Sequence, residues 1–321
     1  MSFVETASFE VAHGALPWPW VAIDATRSWF AFAKNDRAIV ARTLAGEEKT
    51  FALPADLALA ALHGFAIDPR GELLAVMGAS VIVTLDAHGE VRRTAIEEGF
   101  TARAVTFDRS GGRLWISAEN GKETALILLD AKTHAVIGTV RSAAFPSEAN
   151  HELHVHLQDD AVLLLAACGE DGTFARVAGW SDGPPVAIET ALDQGGASVG
   201  FVGFSSDGAR VHLAEPDELQ TLSWPNLAKL SSATFENDFV ANYAGVVIDS
   251  LVFVDGDLDL DDAESKDAVM MFDAAARKGS LVTPAPSGMW AGRIGPNAII
   301  TVDAKGEPAH ARVVVVRKTA N

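Results

Sequence analysis

The densest chemical signal in the chain is an acidic run, Asp255-Gly-Asp257-Leu-Asp259-Leu-Asp261-Asp262-Ala-Glu264. At the period of a strand, Asp255, Asp257, Asp259 and Asp261 fall on one face. Like charges so spaced need water, a cation or a basic partner around them. The opening Asp-x-Asp-x-Asp matches the start of a calcium loop, but Leu260 and Lys266 stand where such a loop has its Gly and Glu. Three readings follow: a solvated hairpin tip, an irregular Ca²⁺ site over Asp255–Glu264, or a contact for basic surface. The second candidate is His151-Glu152-Leu153-His154-Val155-His156. On a strand Glu152, His154 and His156 share a face, and two imidazoles with a carboxylate can ligate a metal; the competing reading is structural, with the histidines bonded to water or backbone. A third pattern, Gly196-Ala-Ser198-Val-Gly200, matches the nucleophile elbow, whose chemistry needs a strand-to-helix turn. Here it precedes the strand-like run Phe201–Phe204, so it reads as a chance match. No phosphate loop, paired zinc motif or dinucleotide fingerprint occurs.

Composition narrows the partners. The 321 residues carry 43 acidic and 25 basic side chains, a formal charge of −18. Such a surface repels nucleic acid and anionic lipid and favours solubility or a basic protein partner. The single cysteine, Cys168, lies in the apolar run 161–168 and reads as a small buried hydrophobe. That run is the longest apolar one and falls far short of the ~20 residues of a membrane helix. The N-terminus lacks the basic start and apolar core of a secretory signal, so a soluble cytoplasmic protein is expected.

The elements that must position these residues repeat along the chain. Between Arg103 and Val140, Ala104–Phe107, Arg113–Ala118, Thr124–Leu129 and Ala135–Val140 read as strands, separated by Gly, Asn, Asp and Ser turns. A lone four-stranded meander leaves open edges and unburied apolar faces. The same phrase, a bulky apolar residue, often Asp or Ser, a turn and an apolar run, recurs around Ile23, Ile67, Phe107, Leu157, Phe204, Ile248 and Ile294. The intervals of 44, 40, 50, 47, 44 and 46 residues have the spacing of propeller blades. The last unit has only Trp290–Ile294, Asn297–Asp303 and Ala311–Lys318, while Phe3–Val11 is a spare strand at the other end. The expectation is a single all-β domain over 1–321, a seven-bladed β-propeller closed by the N-terminal strand in the last blade. The segment Ala55–Leu62, rich in Ala and Leu, is expected to form a short helical turn between the first two blades.

Leu126–Val140, LILLDAKTHAVIGTV, resembles the third and fourth strands of a YVTN repeat, and FSSDG at Phe204 and FDRSGG at Phe107 resemble the strand-turn of WD40 blades. The likeness covers the chain as pattern: no Trp-Asp dipeptide closes a blade, and His13-Gly14 and His63-Gly64 reverse the WD40 order. The resemblance implies a scaffold that binds partners more often than an enzyme. Trp18, Trp20 and Trp290 precede the innermost strands of units expected to be neighbours, so their indoles form a candidate anchor on one rim. The alternative is that each packs between blades, as expected of Trp115. With His63 and the carboxylates Asp255, Asp257 and Asp259, these tryptophans make up the expected protein-binding set. The rival expectation is an enzyme or small-ligand propeller with a channel site at Glu152, His154 and His156.

Overall fold

The computed structural model describes residues 1–321 except 13–19, 147, 182, 189–192, 196–197, 237, 259–265, 274–278, 305–307 and 319–321. The chain is all-β, a seven-bladed β-propeller of antiparallel sheets. By backbone contacts it divides into two compact units, Val11–Glu189 and Met1–Glu10 with Thr190–Asn321.

The first unit holds blades 1 to 4. Blade 3 shows the pattern, with strands Thr101–Phe107, Arg113–Glu119, Glu123–Asp130 and Val136–Ala143 paired in chain order. Blade 1 begins at Val21–Ile23, blade 2 at Gly64–Ile67 and blade 4 at Asn150–Val155. The second unit holds blades 5 to 7, whose first strands are Gly200–Phe204, Phe239–Ile248 and Met289–Ile294. Blade 7 draws its second and third strands from Ala298–Asp303 and Ala309–Arg317 and its fourth from Ser2–Val11, in the order the sequence implies. The N-terminal strand thus covers an edge that would otherwise be open to pairing. The expected helical turn contracts to one turn of 3₁₀ helix, Leu59–Ala61, with Leu59 and Leu62 buried beneath blade 1 and blade 2 side chains.

The apolar cores lie between blades. One cluster joins Trp29, Ile39 and Phe51 of blade 1 to Leu74, Val76 and Val83 of blade 2. A second joins blades 2 and 3 through Met77, Ile82, Leu114 and Ile116, and a third joins Trp115, Leu126 and Leu128 to Val162 and Leu164 of blade 4. In the other unit, blades 5 and 6 share Leu219, Val252 and Phe272, and blades 6 and 7 share Phe253, Trp290 and Ile299. The middle strands therefore bury both faces, which is why they read as continuous apolar runs and not as alternating ones, while outer strands such as Val136–Ala143 stay largely exposed.

The turn after each first strand explains the recurring Asp. The Asp24 carboxylate accepts backbone N–H bonds from Thr26, Ser28 and Trp29 at 2.6, 2.6 and 2.5 Å. Asp68 accepts those of Glu72 and Leu73 at 2.6 and 2.8 Å, and Asp108 accepts that of Arg113 at 3.1 Å. These carboxylates are 4%, 0% and 5% exposed and satisfy amides of their own turns, with side-chain bonds from Arg70 to Asp68 and from Arg113 to Asp108 beside them. In blade 5 the Ser205 hydroxyl accepts the Arg210 N–H at 3.0 Å in their place. Gly71 in the blade 2 turn has φ +63°, and a Cβ there would come within 2.5 Å of the Trp29 indole, so only glycine admits this packing.

Candidate functional site

His156 is the blade 4 counterpart of those turn residues. Val155 pairs with Val162, as Phe107 pairs with Leu114, so the repeat position in blade 4 is Val155 and not Leu157. His156 follows the strand, is 1% exposed, and its Nδ1 accepts the N–H groups of Gln158 and Asp159 at 3.3 and 2.9 Å. An imidazole thus does the work of a carboxylate, and its Nδ1 lone pair is spent within the turn. Glu152 and His154 do meet, Oε2 to Nε2 at 3.0 Å, with side chains 61% and 20% exposed. Of the three expected ligands, the structure brings together two and sends His156 elsewhere. Among the described residues no group of three His, Cys, Asp or Glu side chains is placed to hold a metal ion.

A more elaborate cluster was not legible as a motif, because its members come from different blades. Ser117 Oγ lies 2.6 Å from His151 Nδ1, and His151 Nε2 lies 3.3 Å from Glu119 Oε2. Glu119 is also bonded to Arg103 at 2.7 Å, and Arg103 to Glu148 at 2.8 Å. The order hydroxyl, imidazole, carboxylate imitates an acyl-transfer relay. Burial, reinforced by the charge of Arg103, holds the His151 pKa down to about 4, so its contact with Glu119 is not an ion pair at neutral pH. Ser117 is 0% exposed, which denies any substrate a path to its oxygen. The cluster fastens blade 3 to blade 4.

The expected anchors divide. Trp18 and Asp259 lie outside the described residues. Trp20 is half-buried against the blade 1 and 2 core, with φ +61°. Trp290 is buried, 3% exposed, with its ring 6.1 Å from Phe3 in an edge contact, so it is a packing residue between blades 6 and 7 and no surface anchor. The expected exposed face of the acidic run fails at its first residue. Asp255, on the second strand of blade 6, Leu251–Leu258, is 3% exposed, and burial raises its pKa well above the ordinary carboxylate value despite a backbone hydrogen bond from Trp290. At that exposure Asp255 does not belong to a solvent-facing carboxylate row. Asp257 is half-buried two residues on. Cys168 is buried as expected, and the Gly-x-Ser-x-Gly pattern runs directly into the first strand of blade 5.

What the sequence hides is an asymmetry of charge between the two ends of the blades. In a four-stranded antiparallel blade, the link between second and third strands and the link to the next blade leave from the same end. In blades 1 to 4 these links carry Asp36, Asp56, Glu97, Glu98, Glu148, Glu170 and Asp171, all exposed, against Arg37 and Lys122. Arginines from the strands neutralise Asp56, Glu97 and Glu148. Exposed His63 belongs to the same end. The opposite end is mixed: its exposed acids Glu47, Glu72, Glu90, Asp159 and Asp160 are interleaved with Arg27, Arg70, Arg109 and Lys132. In the other unit the corresponding described links hold Glu215, Asp217, Glu236 and Asp238 and no basic residue. The pKa of Glu215 is raised, first by burial and then by its neighbour Glu218.

No family model matches this chain, and no curated protein matches it in sequence. Among the described residues no helix is long and apolar enough to cross a membrane. The site is therefore argued from its own geometry.

Proposed function

We propose that this propeller is a recognition scaffold that presents the acidic end of its blades to a protein partner with basic surface. The observation that carries the reading is the quartet Asp36, Glu98, Glu170 and Asp171 in blades 1 to 4, whose side chains have no ion-pair partner among the described residues, at the end where the links hold seven exposed acids against Arg37 and Lys122. Carboxylates gathered on one end steer a cationic partner and set its orientation. The resemblance to WD40 and YVTN blades agrees with this reading, supported by the Asp-centred and Ser-centred turns after Phe107 and Phe204.

A charge-reversal pair tests it. Tagged wild-type protein, Glu170→Lys/Asp171→Lys and the opposite-end control Glu72→Lys/Glu90→Lys are used to capture partners from lysate of the source cells at low and high salt. The expected result is a basic partner held by wild type and control, lost from Glu170→Lys/Asp171→Lys, and released by salt at about 0.5 M. Capture that survives both the reversal and the salt would move recognition to another surface.

A further inference from the structure

A cavity of about 330 Å³ lies between blades 5 and 6, within the span of small-ligand pockets. Its walls come from Arg210 and His212 on the second strand of blade 5, Thr221 on the third, Leu230 on the fourth, and Val252 and Phe272 of blade 6. Blade register shows what is missing. Phe204 and Gly203 pair with Val211 and His212, as Phe107 and Thr106 pair with Leu114 and Trp115. His212 therefore holds the place of Trp115, and Arg210 that of Arg113. In the interface of blades 3 and 4, the Trp115 indole is buried in the apolar cluster and the Arg113 guanidinium lies 3.0 Å from the ring centroid of Trp180. In the interface of blades 1 and 2, Trp29 occupies the register place of Arg210 and packs on the Gly71 turn. Among the described residues no tryptophan lines the space between blades 5 and 6.

The polar groups left there are complementary to a ring. His212 is 4% exposed, its Nδ1 sits 3.1 Å from Thr221 Oγ1, and its Nε2 has no partner among the described residues. The lining is mixed, with Ser231, Ser232 and Asp273 beside the apolar side chains, and the second nitrogen of His212 is left to bond a ligand there. Burial, with the charge of Arg210, holds the His212 pKa down to about 4, so at neutral pH the imidazole presents one uncharged donor or acceptor. Leu230 is 54% exposed at the outer strand, which places the mouth beside it. Asp273 at the lining and the chain's −18 charge oppose anions such as phosphates.

We propose that the cleft between blades 5 and 6 binds an uncharged planar heteroaromatic molecule of one or two fused rings, its face against Arg210 and Phe272 and its ring nitrogen bonded to His212. The ligand supplies from solution the flat ring that Trp29 supplies between blades 1 and 2 and Trp115 between blades 3 and 4. This site is independent of the acidic end, so the two readings fail separately.

The test uses the full-length protein and two probes, indole and adenine, titrated to about 5 mM while the His212 side-chain resonances are followed by NMR. The expected result is a saturable shift at His212 with at least one probe. His212→Trp, which fills the cleft as Trp115 fills its counterpart, abolishes binding, and Arg210→Gln weakens it about tenfold through loss of the cation–π face. Should His212→Trp fail to fold, Arg210→Gln at the exposed rim decides. No shift with either probe in folded wild-type protein overturns the proposal, as does binding unchanged in Arg210→Gln or in folded His212→Trp.

Discussion

His151 and His212 show how burial converts a common residue into a stability switch. Each titrates near pH 6.5 when exposed and near 4 in the fold, because desolvation disfavours the imidazolium and a neighbouring arginine disfavours it further. The sign follows from proton uptake. Between those values the unfolded chain binds a proton that the folded chain refuses, so stability is complete above about pH 6.5 and falls as the pH drops toward 4. At pH 5 the loss is about 2 kcal/mol for each histidine. Urea unfolding should therefore show the stability gap between wild type and His212→Gln narrowing by about 2 kcal/mol from pH 7 to pH 5. A constant gap would mean that His212 takes up its proton in the folded state. Asp255 follows the opposite logic: burial raises its pKa, so its contribution to stability falls as the pH rises above the ordinary carboxylate value.

The turns after the first strands carry the next lesson. Asp68 receives two short backbone bonds and sits at 0% exposure, so its loss strands two amides that nothing else reaches. Asp68→Ala is expected to cost about 3 kcal/mol, measured as a shift in the urea midpoint at constant slope. His156 tests whether the position, and not the residue type, is what matters. His156→Asp keeps an acceptor for the Gln158 and Asp159 amides and should stay within about 1 kcal/mol of wild type, whereas His156→Leu should lose about 2 kcal/mol. A metal-dependent change in the melting temperature of wild type, absent from His156→Asp, would return His156 to the ligand reading. The blade edges obey the same accounting of backbone groups.

The N-terminal strand joins the two extremes of the sequence. Ser2–Val11 lies beside Ala309–Arg317, and Thr6 Oγ1 donates to the Val313 carbonyl at 3.2 Å. Phe3 adds an edge contact of 6.3 Å to Phe253 and another of 6.1 Å to Trp290. Deleting residues 2–11 exposes the edge of blade 7 and the Trp290 face together. The truncated chain is expected to melt several degrees lower and to self-associate, as read by calorimetry and light scattering. A monomer of unchanged melting temperature would show that blade 7 does not depend on this strand.

The repeat of bulky residue, Asp or Ser, turn and apolar run was enough to count the blades, and the spare strand was visible because the last unit was one strand short. Those features are local: they depend on turn chemistry and strand patterning within about 45 residues, which the sequence displays in order. Even so, the Leu157 marker was displaced by two residues, because His156 replaced the expected Asp in its turn. The candidate sites depended on contacts between blades, and these join residues far apart in the chain. Burial of Trp290 and Asp255, the Ser117–His151–Glu119 chain, the charged end of the blades and the cleft at His212 all arise where one sheet meets another or where links converge. Sequence periodicity assigns a residue to a face; only the neighbouring blade decides whether that face is filled, satisfied or left open, since the neighbour supplies the volume and the hydrogen-bond partners.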